Sequence, residues 1–388
     1  MRTAVIGGGA AGFFLAVNLK ELMPEMDVTI FERSHHVLAK VEVSGGGRCN
    51  CTNSFALVRD LSEVYPRGHR LMKRLFHQFD QHDAYAWFER HGVPLVTQSD
   101  ECVFPRAQDA HAVIDCFLSL ARRYHVEIRT GQAVQSLSDV SDFDFVAVTT
   151  GGSPSGRGLR WLAELGHEME PPVPSLFTFA VDDRRLHALM GIVTEAEVFL
   201  PGTKFKAQGP LLITHWGLSG PAILRLSSYA ARHLAACDYQ ERLSVRWLPH
   251  LTGLDITEGR RQITSFNPYG LSQRLWAYLV ERALGERGAL RWAELSRKDA
   301  NRLLNTLTND EYRIAGRAPF KDEFVTCGGV SLQTVNPSTL ESRHVPRLYF
   351  AGEVLDIDGI TGGFNFQAAW TTAFTVAKAI VAECHGAL

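Results

Sequence analysis

Residues 1–32 read MRTAVIGGGAAGFFLAVNLKELMPEMDVTIFE, and this stretch decides the fold. Arg2 to Ile6 is the apolar run of a short buried strand. Ala10 to Leu22 reads as a helix, and Asp27 to Phe31 as the next strand. Between the first strand and the helix, Gly7, Gly9 and Gly12 fit Gly-x-Gly-x-x-Gly, and Glu32 closes the second strand twenty positions after Gly12. Together these form a dinucleotide-binding βαβ fingerprint in its proper context.

Each residue type in the fingerprint has a physical task. Gly7 permits the tight turn off the strand. Gly9 lets a pyrophosphate approach the backbone, because no Cβ stands in the way, and Gly12 lets helix and strand pack closely. Free N–H groups and the dipole at the helix start hold phosphate charge. The Glu32 carboxylate accepts the hydroxyl protons of a ribose and repels a 2′-phosphate. That implies FAD or NAD rather than NADP.

The next stretch, KVEVSGGGRCNCTN at residues 40–53, separates those two. A simple NAD unit would continue into another helix and strand. Here a glycine-rich loop carries Ser44, Arg48, Asn50 and Thr52. Backbone N–H groups, hydroxyls and a guanidinium along such a loop suit the long pyrophosphate–ribityl chain of FAD.

These motifs, GGGAAG and SGGGRCNCTN, resemble the YhiN/BaiN-like bacterial flavoproteins, a family of FAD-binding oxidoreductases. Three further matches follow in order: THWGLSGPA at 214–222, CGGVSL at 327–332 and AGEVLDIDGITGGFNFQAAW at 351–370. The resemblance spans nearly the whole chain. It implies hydride transfer between the flavin and a small organic substrate. Reduction of an activated C=C in an enone and oxidation of an amine or aminoketone are both reactions of this family. It also places Val134 against the adenine edge.

Fingerprint, loop and resemblance together make the candidate cofactor contacts Gly7, Gly9, Ala10, Ala11, Gly12, Glu32, Arg33, Lys40, Ser44, Gly46, Gly47, Arg48, Cys49, Asn50, Thr52, Val134, Gly151, Gly152, Gly352, Glu353, Asp356, Gly363, Phe364 and Asn365. The start of the last helix, at 362–365, points its positive dipole end at the flavin and stabilises its anionic reduced form. No second Gly-x-Gly-x-x-Gly unit is present. An NAD(P)H donor would therefore bind transiently at the flavin face.

Composition narrows the class. The 388 residues are 45% hydrophobic and 21% charged, ordinary for a globular protein of two or three domains. A net charge of −2 gives no reason to expect a nucleic-acid or membrane partner, so a small-molecule substrate is expected. The RNA alternative, a flavoprotein that binds or modifies RNA, and a non-catalytic FAD protein stand as the other classes. Seven cysteines without a disulfide pattern fit a reducing cytoplasm. Cys49 and Cys51 are too close for an unstrained disulfide and read as packing residues. No metal site is expected.

Beyond residue 53 the chain reads as helices to about Gly92, then short strands at 93–96 and 101–105. A helix capped by Asp109 and strands at 126–129, 133–137 and 143–149 follow. Pro171, Pro172 and Pro174 mark a change of composition. Strands are expected afterwards at 195–200, 209–214 and 243–248, with helices at 222–235, 271–284 and 299–307. His215, at a strand end before a Gly-Leu-Ser-Gly turn, is the candidate general acid. Tyr312, Arg313 and Arg317 read as solvated surface. The expected fold class is α/β: a Rossmann-like FAD-binding domain split by an inserted mixed β-barrel plus helical domain. The FAD-binding parts are 1–172 and 326–388, and the insert is 173–325.

Overall fold

The structure is a computed structural model, and it describes residues 1–254, 259–318 and 325–386. The chain divides into two compact units, Met1–Pro174 with Asp322–Leu388, and Ser175–Lys321. Residues 319–324, just before the expected boundary at 325/326, lie outside the described residues.

The first unit is built on a five-stranded parallel sheet. Its order is Leu348–Phe350, Phe145–Val148, Arg2–Ile6, Asp27–Glu32 and Glu127–Thr130. Both ends of the chain thus enter one sheet, because Leu348 to Phe350 pairs in parallel with Val146 to Val148. The helix Ala10–Leu22 is apolar on nearly every side, with Ala11 to Leu19 all buried. It lies under the last helix, Phe364–Cys384, so it has almost no face left for water. Phe14 is the hub of the aromatic core, 4.7 Å from Trp87, 5.1 Å from Trp370 and 6.3 Å from Phe117. Asn18 accepts from the Trp87 Nε1–H at 3.1 Å, which satisfies both polar groups inside that core.

One expectation fails in this unit. Residues 133–136 form no strand, and Leu137–Val140 is a 3₁₀ turn. The Asp139 carboxylate accepts from the backbone N–H groups of Gln135 (2.8 Å) and Ser136 (3.1 Å), which removes those donors from any ladder. The proline-rich run Met169–Ser175 is a strand, paired among the described residues with Val325–Val330. A two-stranded ribbon leaves one edge free, and a proline without an N–H is tolerated there.

The second unit is a closed six-stranded barrel with helices. Its order is Val193–Phe199, Lys206–Ile213, Gly217–Ser219, Phe179–Val181, Asp310–Arg317 and Gln240–Arg246, closing on the first. The expected helix at 222–235 is two, Pro221–Tyr229 and Ala231–Ala236, broken at Ala230. Tyr312 is 5% exposed and packs against Tyr278 and Arg282 of the helix Gln273–Leu284, contrary to its expected place at the surface. Its hydroxyl donates to the buried Asp310 carboxylate at 2.5 Å, which also accepts from Trp247 Nε1 (3.1 Å) and Arg282 Nε (2.7 Å). Among the described residues no helix is long and apolar enough to cross a membrane.

Candidate cofactor site

In an open parallel sheet, ligands bind at the carboxyl ends of the strands. Three adjacent strands here deliver glycines to that edge. Ile6 leads to Gly7 and Gly9, Val148 leads to Gly151 and Gly152, and Phe350 leads to Gly352. The neighbouring strand ends at Glu32.

The three fingerprint glycines are used differently. A Cβ at Gly12 would collide with the Gly7 carbonyl, and one at Gly7 would collide with Thr149. These two positions are fixed by packing. A Cβ at Gly9 would meet nothing within 4 Å. The space beside Gly9 at the start of the Ala10–Leu22 helix is therefore open, as a pyrophosphate requires. Ala11 is buried beneath it.

The Glu32 carboxylate is held in place by two backbone donors, Gly8 N–H at 2.9 Å and Ser34 N–H at 2.8 Å. Each of its oxygens keeps a free lone pair for a hydroxyl. Arg33 beside it is exposed. Val134 lies half-buried in the irregular segment before the 3₁₀ turn.

The loop that follows is locked by its own side chains. Gly45, Gly46 and Gly47 all have positive φ (57°, 68° and 81°) and are exposed, so their backbone faces solvent. Arg48 donates to Gly45 O (3.1 Å) and Gln108 Oε1 (3.3 Å), and its guanidinium sits 4.4 Å over the Phe104 ring. The Ser44 hydroxyl donates to Val41 O. Cys49 and Cys51 are fully buried with their sulfurs 3.8 Å apart. Burial pushes the Cys51 thiol well above its ordinary range.

This loop is tied to the start of the last helix. Asn50 donates its amide to Thr52 O (2.8 Å) and accepts from the Gly363 N–H (3.1 Å). A Cβ at Gly363 would strike the Thr52 carbonyl, so glycine is demanded there, with φ at 90°. The Thr52 hydroxyl donates to Gln367 Oε1 at 2.6 Å. Asn365 exchanges two hydrogen bonds with the Gly359 backbone (2.8 and 2.9 Å). Phe364 is packed between Phe55 and Tyr65. The side chains of Asn50, Thr52 and Asn365 thus hold the two loops in shape.

On the other flank, Glu353 links three segments. It pairs with Lys40 Nζ (2.8 Å) and accepts from the Thr326 N–H (2.8 Å). Gly152 packs so closely on Thr326 and Glu353 that any side chain would collide. The Thr326 hydroxyl is buried without a hydrogen-bond partner, a donor waiting for an acceptor beside the glycines. Asp356 follows on, its N–H donating to Val330 O (3.0 Å). A cleft of about 280 Å³ begins at Ser153, with Arg157, Arg160, Gly328 and Gly329 among its walls. Open space at Gly9, an oriented carboxylate at Glu32 and an orphan hydroxyl at Thr326 fit a long, phosphate-bearing nucleotide.

Sequence reasoning missed the bracing pair of Arg67 and the fully buried Asp358, which holds the loop before the last helix. The second Asp in the run LDIDG was its only signal. His215 lies in the second unit, in the turn between Ile213 and Gly217. It is exposed, and its ring lies 5.0 Å from that of Trp216.

Residues 1–379 match the HI0933-like protein Rossmann domain. The chain belongs to the HI0933-like family. This is the flavoprotein oxidoreductase family whose motifs the sequence resembles. One HI0933-like relative is a 3-dehydro-bile acid delta(4,6)-reductase of Clostridium scindens, 27% identical over 97% of this chain and 98% of its own length. Another is a ribosomal RNA dihydrouridine synthase of Escherichia coli, 27% identical over 97% of each chain. Among solved structures, a 3-ketosteroid delta1-dehydrogenase from Sterolibacterium denitrificans is 11% identical with a TM-score of 0.48, covering 98% of this chain and 99% of its own.

Proposed function

We propose that the chain binds FAD along the carboxyl edge of the first unit's sheet and reduces a C=C bond conjugated to a carbonyl. The observation that carries the reaction is what its two full-length relatives have in common. A delta(4,6)-reductase of a 3-dehydro steroid saturates a C=C polarised by the C3 carbonyl. A dihydrouridine synthase saturates the uracil C5=C6 bond, polarised by the C4 carbonyl. The chemistry is one reaction: hydride to the β-carbon and a proton to the α-carbon.

The chain's residues have assigned tasks in this reading. Gly9 and the following helix start receive the pyrophosphate, and Glu32 receives the adenosine ribose. Glu353, Lys40 and the Thr326 hydroxyl serve the opposite end. The Gly363–Phe364 helix start, held by Asn50, stabilises negative charge on the ring system. FAD, when bound, supplies the hydride at N5. NADH or NADPH is the transient donor, and His215 is the candidate source of the α-carbon proton.

The test begins with the absorbance spectrum of the purified protein and an anaerobic titration with NADH and NADPH. Yellow protein that bleaches, and is reoxidised by a steroid enone or by uridine-containing RNA, is the expected result. Protein that neither carries nor takes up FAD ends this reading.

A further inference from the structure

In the second unit, the helix Ala231–Ala236 and the strand Gln240–Arg246 meet at a turn that gathers three ligand-type side chains. His233 and Cys237 stand four residues apart, a spacing that puts both on one face of the helix end. Glu241 follows at the same interval, on the strand. The chain reverses through Asp238 and Tyr239, both left-handed at φ 53° and 57° although neither is glycine. The Tyr239 N–H donates to Leu234 O (2.7 Å) and the Gln240 N–H to Cys237 O (3.0 Å). The Tyr239 ring packs on Phe177 at 5.5 Å, with the Arg317 guanidinium over it at 4.5 Å. Glu241 is locked in register opposite Ile314. Packing and strand pairing thus hold a turn that the backbone alone disfavours, and the turn brings Glu241 back onto the helix.

An imidazole nitrogen of His233, the Cys237 sulfur and a carboxylate oxygen of Glu241 lie within 4.8 Å of one another. The His233 Nε2 is 3.0 Å from Glu241 Oε2. The other carboxylate oxygen accepts from the Arg242 N–H at 2.8 Å. That bond orients the group and, with the His233 contact, holds its pKa below the ordinary carboxylate range. The Cys237 thiol donates to Leu234 O at 3.4 Å, a weak bond. The Phe205 ring closes one side, 5.7 Å from the His233 ring. All three ligand residues are half-buried, so an ion can enter from solvent. Ligand atoms around a tetrahedral zinc stand about 3.3–3.6 Å apart, given bonds of about 2.0–2.3 Å. The cluster closes to that size by a shift of about an ångström at the Cys237 sulfur, which a small turn about its Cα–Cβ bond supplies.

We infer that His233, Cys237 and Glu241 form a binding site for a zinc-type divalent cation, with water in the fourth position. Imidazole, thiolate and carboxylate together are a zinc donor set, whereas Mg²⁺ or Ca²⁺ calls for oxygen ligands. On binding, the Cys237 S–H bond breaks heterolytically. Its electron pair goes to the metal and its proton to water, with no change of oxidation state. Glu241 exchanges its contact with His233 for one with the ion. The thiolate and the carboxylate balance the dication, so the loaded site is neutral. A histidine–glutamate hydrogen bond alone would need no thiol at the third corner. The ion clips the helix end to the strand and stabilises the folded barrel by mass action. This site uses no property of the flavin and goes beyond the reductase reading.

The experiment uses the full, untagged chain as purified, stripped with a chelator, kept reduced and titrated with Zn²⁺ or Co²⁺ alone. One Zn²⁺ bound per chain is the expected result, together with a four-coordinate Co²⁺ spectrum whose visible bands lie to the red of flavin absorption. Cys237→Ser, His233→Ala and Glu241→Gln should each weaken Zn²⁺ binding about tenfold or more, since even the loss of a group that only orients a ligand costs that much. Cys384→Ser should bind like the parent. A second measurement needs no variant to fold. In the parent, saturating Zn²⁺ should slow alkylation of Cys237, located by mass spectrometry, about tenfold and leave that of Cys384 unchanged. A parent chain that takes up no Zn²⁺ overturns the inference. So does alkylation of Cys237 that Zn²⁺ does not slow, or a Cys237→Ser chain that binds Zn²⁺ as tightly as the parent. Zinc held by protein that takes up no FAD supports this site while ending the reductase reading. Yellow protein that a nicotinamide reduces but that binds no zinc does the reverse.

Discussion

The two units use glycine and charge in opposite ways. In the first, glycines bring backbone against backbone at the strand ends, and buried ion pairs are few. In the second, a polar cluster ties the strand Asp310–Arg317 to the helix Gln273–Leu284, with Asp310, Tyr312, Arg282 and Trp247 joined by hydrogen bonds. A nucleotide site built from backbone N–H groups needs close approach, which only glycine permits. The second unit instead uses side chains to tie a helix to a strand. The difference yields contrasting expectations for substitution.

The largest effect is expected at Gly12. Gly12→Ala drives a methyl into the Gly7 carbonyl, where backbone cannot yield, and should cost about 3 kcal/mol in urea unfolding of the apoprotein. Gly9→Ala is the sharp contrast. Its methyl points into open space, so apoprotein stability should shift by less than about 0.5 kcal/mol. The FAD dissociation constant should still rise tenfold or more, about 1.4 kcal/mol. Equal stability losses at the two glycines would show that Gly9 is structural and the site lies elsewhere.

The second unit should break through its polar cluster. Asp310→Ala removes the shared acceptor of three donors and leaves the Arg282 guanidinium with Asp183 (3.5 Å) and the Glu311 carbonyl (2.6 Å). With the Arg282 side chain a third exposed, the loss should lie near the low end for a broken buried pair, about 3 kcal/mol. Desolvation pushes the Asp310 carboxyl upward, and the Arg282 charge opposes it. The unfolding transition of the second unit should move while FAD absorbance in the first is retained. Loss of flavin along with the barrel would show that the units unfold as one.

A pH effect is expected from His167 in the first unit. Burial, with the nearby His344 charge, lowers His167 to about 4. Its ring is held between the Thr334 (3.0 Å) and Ser342 (2.9 Å) hydroxyls. The folded state holds this imidazole neutral, so the unfolded chain binds the extra proton between about pH 6.5 and 4. The stabilisation is complete above pH 6.5 and is lost as pH falls through that window, by about 3 kcal/mol. Urea midpoints of His167→Gln should lose this part of the pH dependence.

The same contrast governs what the sequence discloses. The βαβ code is local: strand, turn, helix and acid lie within 32 residues, and Arg2–Ile6, Ala10–Leu22 and Asp27–Glu32 appear where the periodicity puts them. Barrel closure is not local. Phe179–Val181 pairs with Asp310–Arg317, and three-residue strands such as Gly217–Ser219 carry too little pattern to read. Asp310–Arg317 does alternate buried and exposed, but its inward residues include Asp310 and Tyr312, which masks the alternation. At the site, glycine positions were legible because conformation demands them. The uses of Asn50, Thr52 and Asn365 were not, because a polar side chain that braces a loop looks in sequence like one that binds a ligand.

The smallest effect is expected where the two chain ends of the first unit meet. Lys40 and Glu353 pair at 2.8 Å, but the lysine side chain is 58% exposed. An exposed pair of this kind contributes little, so Lys40→Met should change stability by no more than about 0.5 kcal/mol. Glu353 is different, because it also accepts from the Thr326 N–H beside the orphan hydroxyl. Glu353→Gln keeps an acceptor for that N–H and loses only the charge. If the carboxylate serves the cofactor, Glu353→Gln should weaken FAD binding several-fold more than Lys40→Met, with both apoproteins equally stable. Equal, small changes in FAD affinity would mean that the pair merely tethers the two chain ends. The cofactor would then owe its hold on this flank to Thr326 and the glycine backbone.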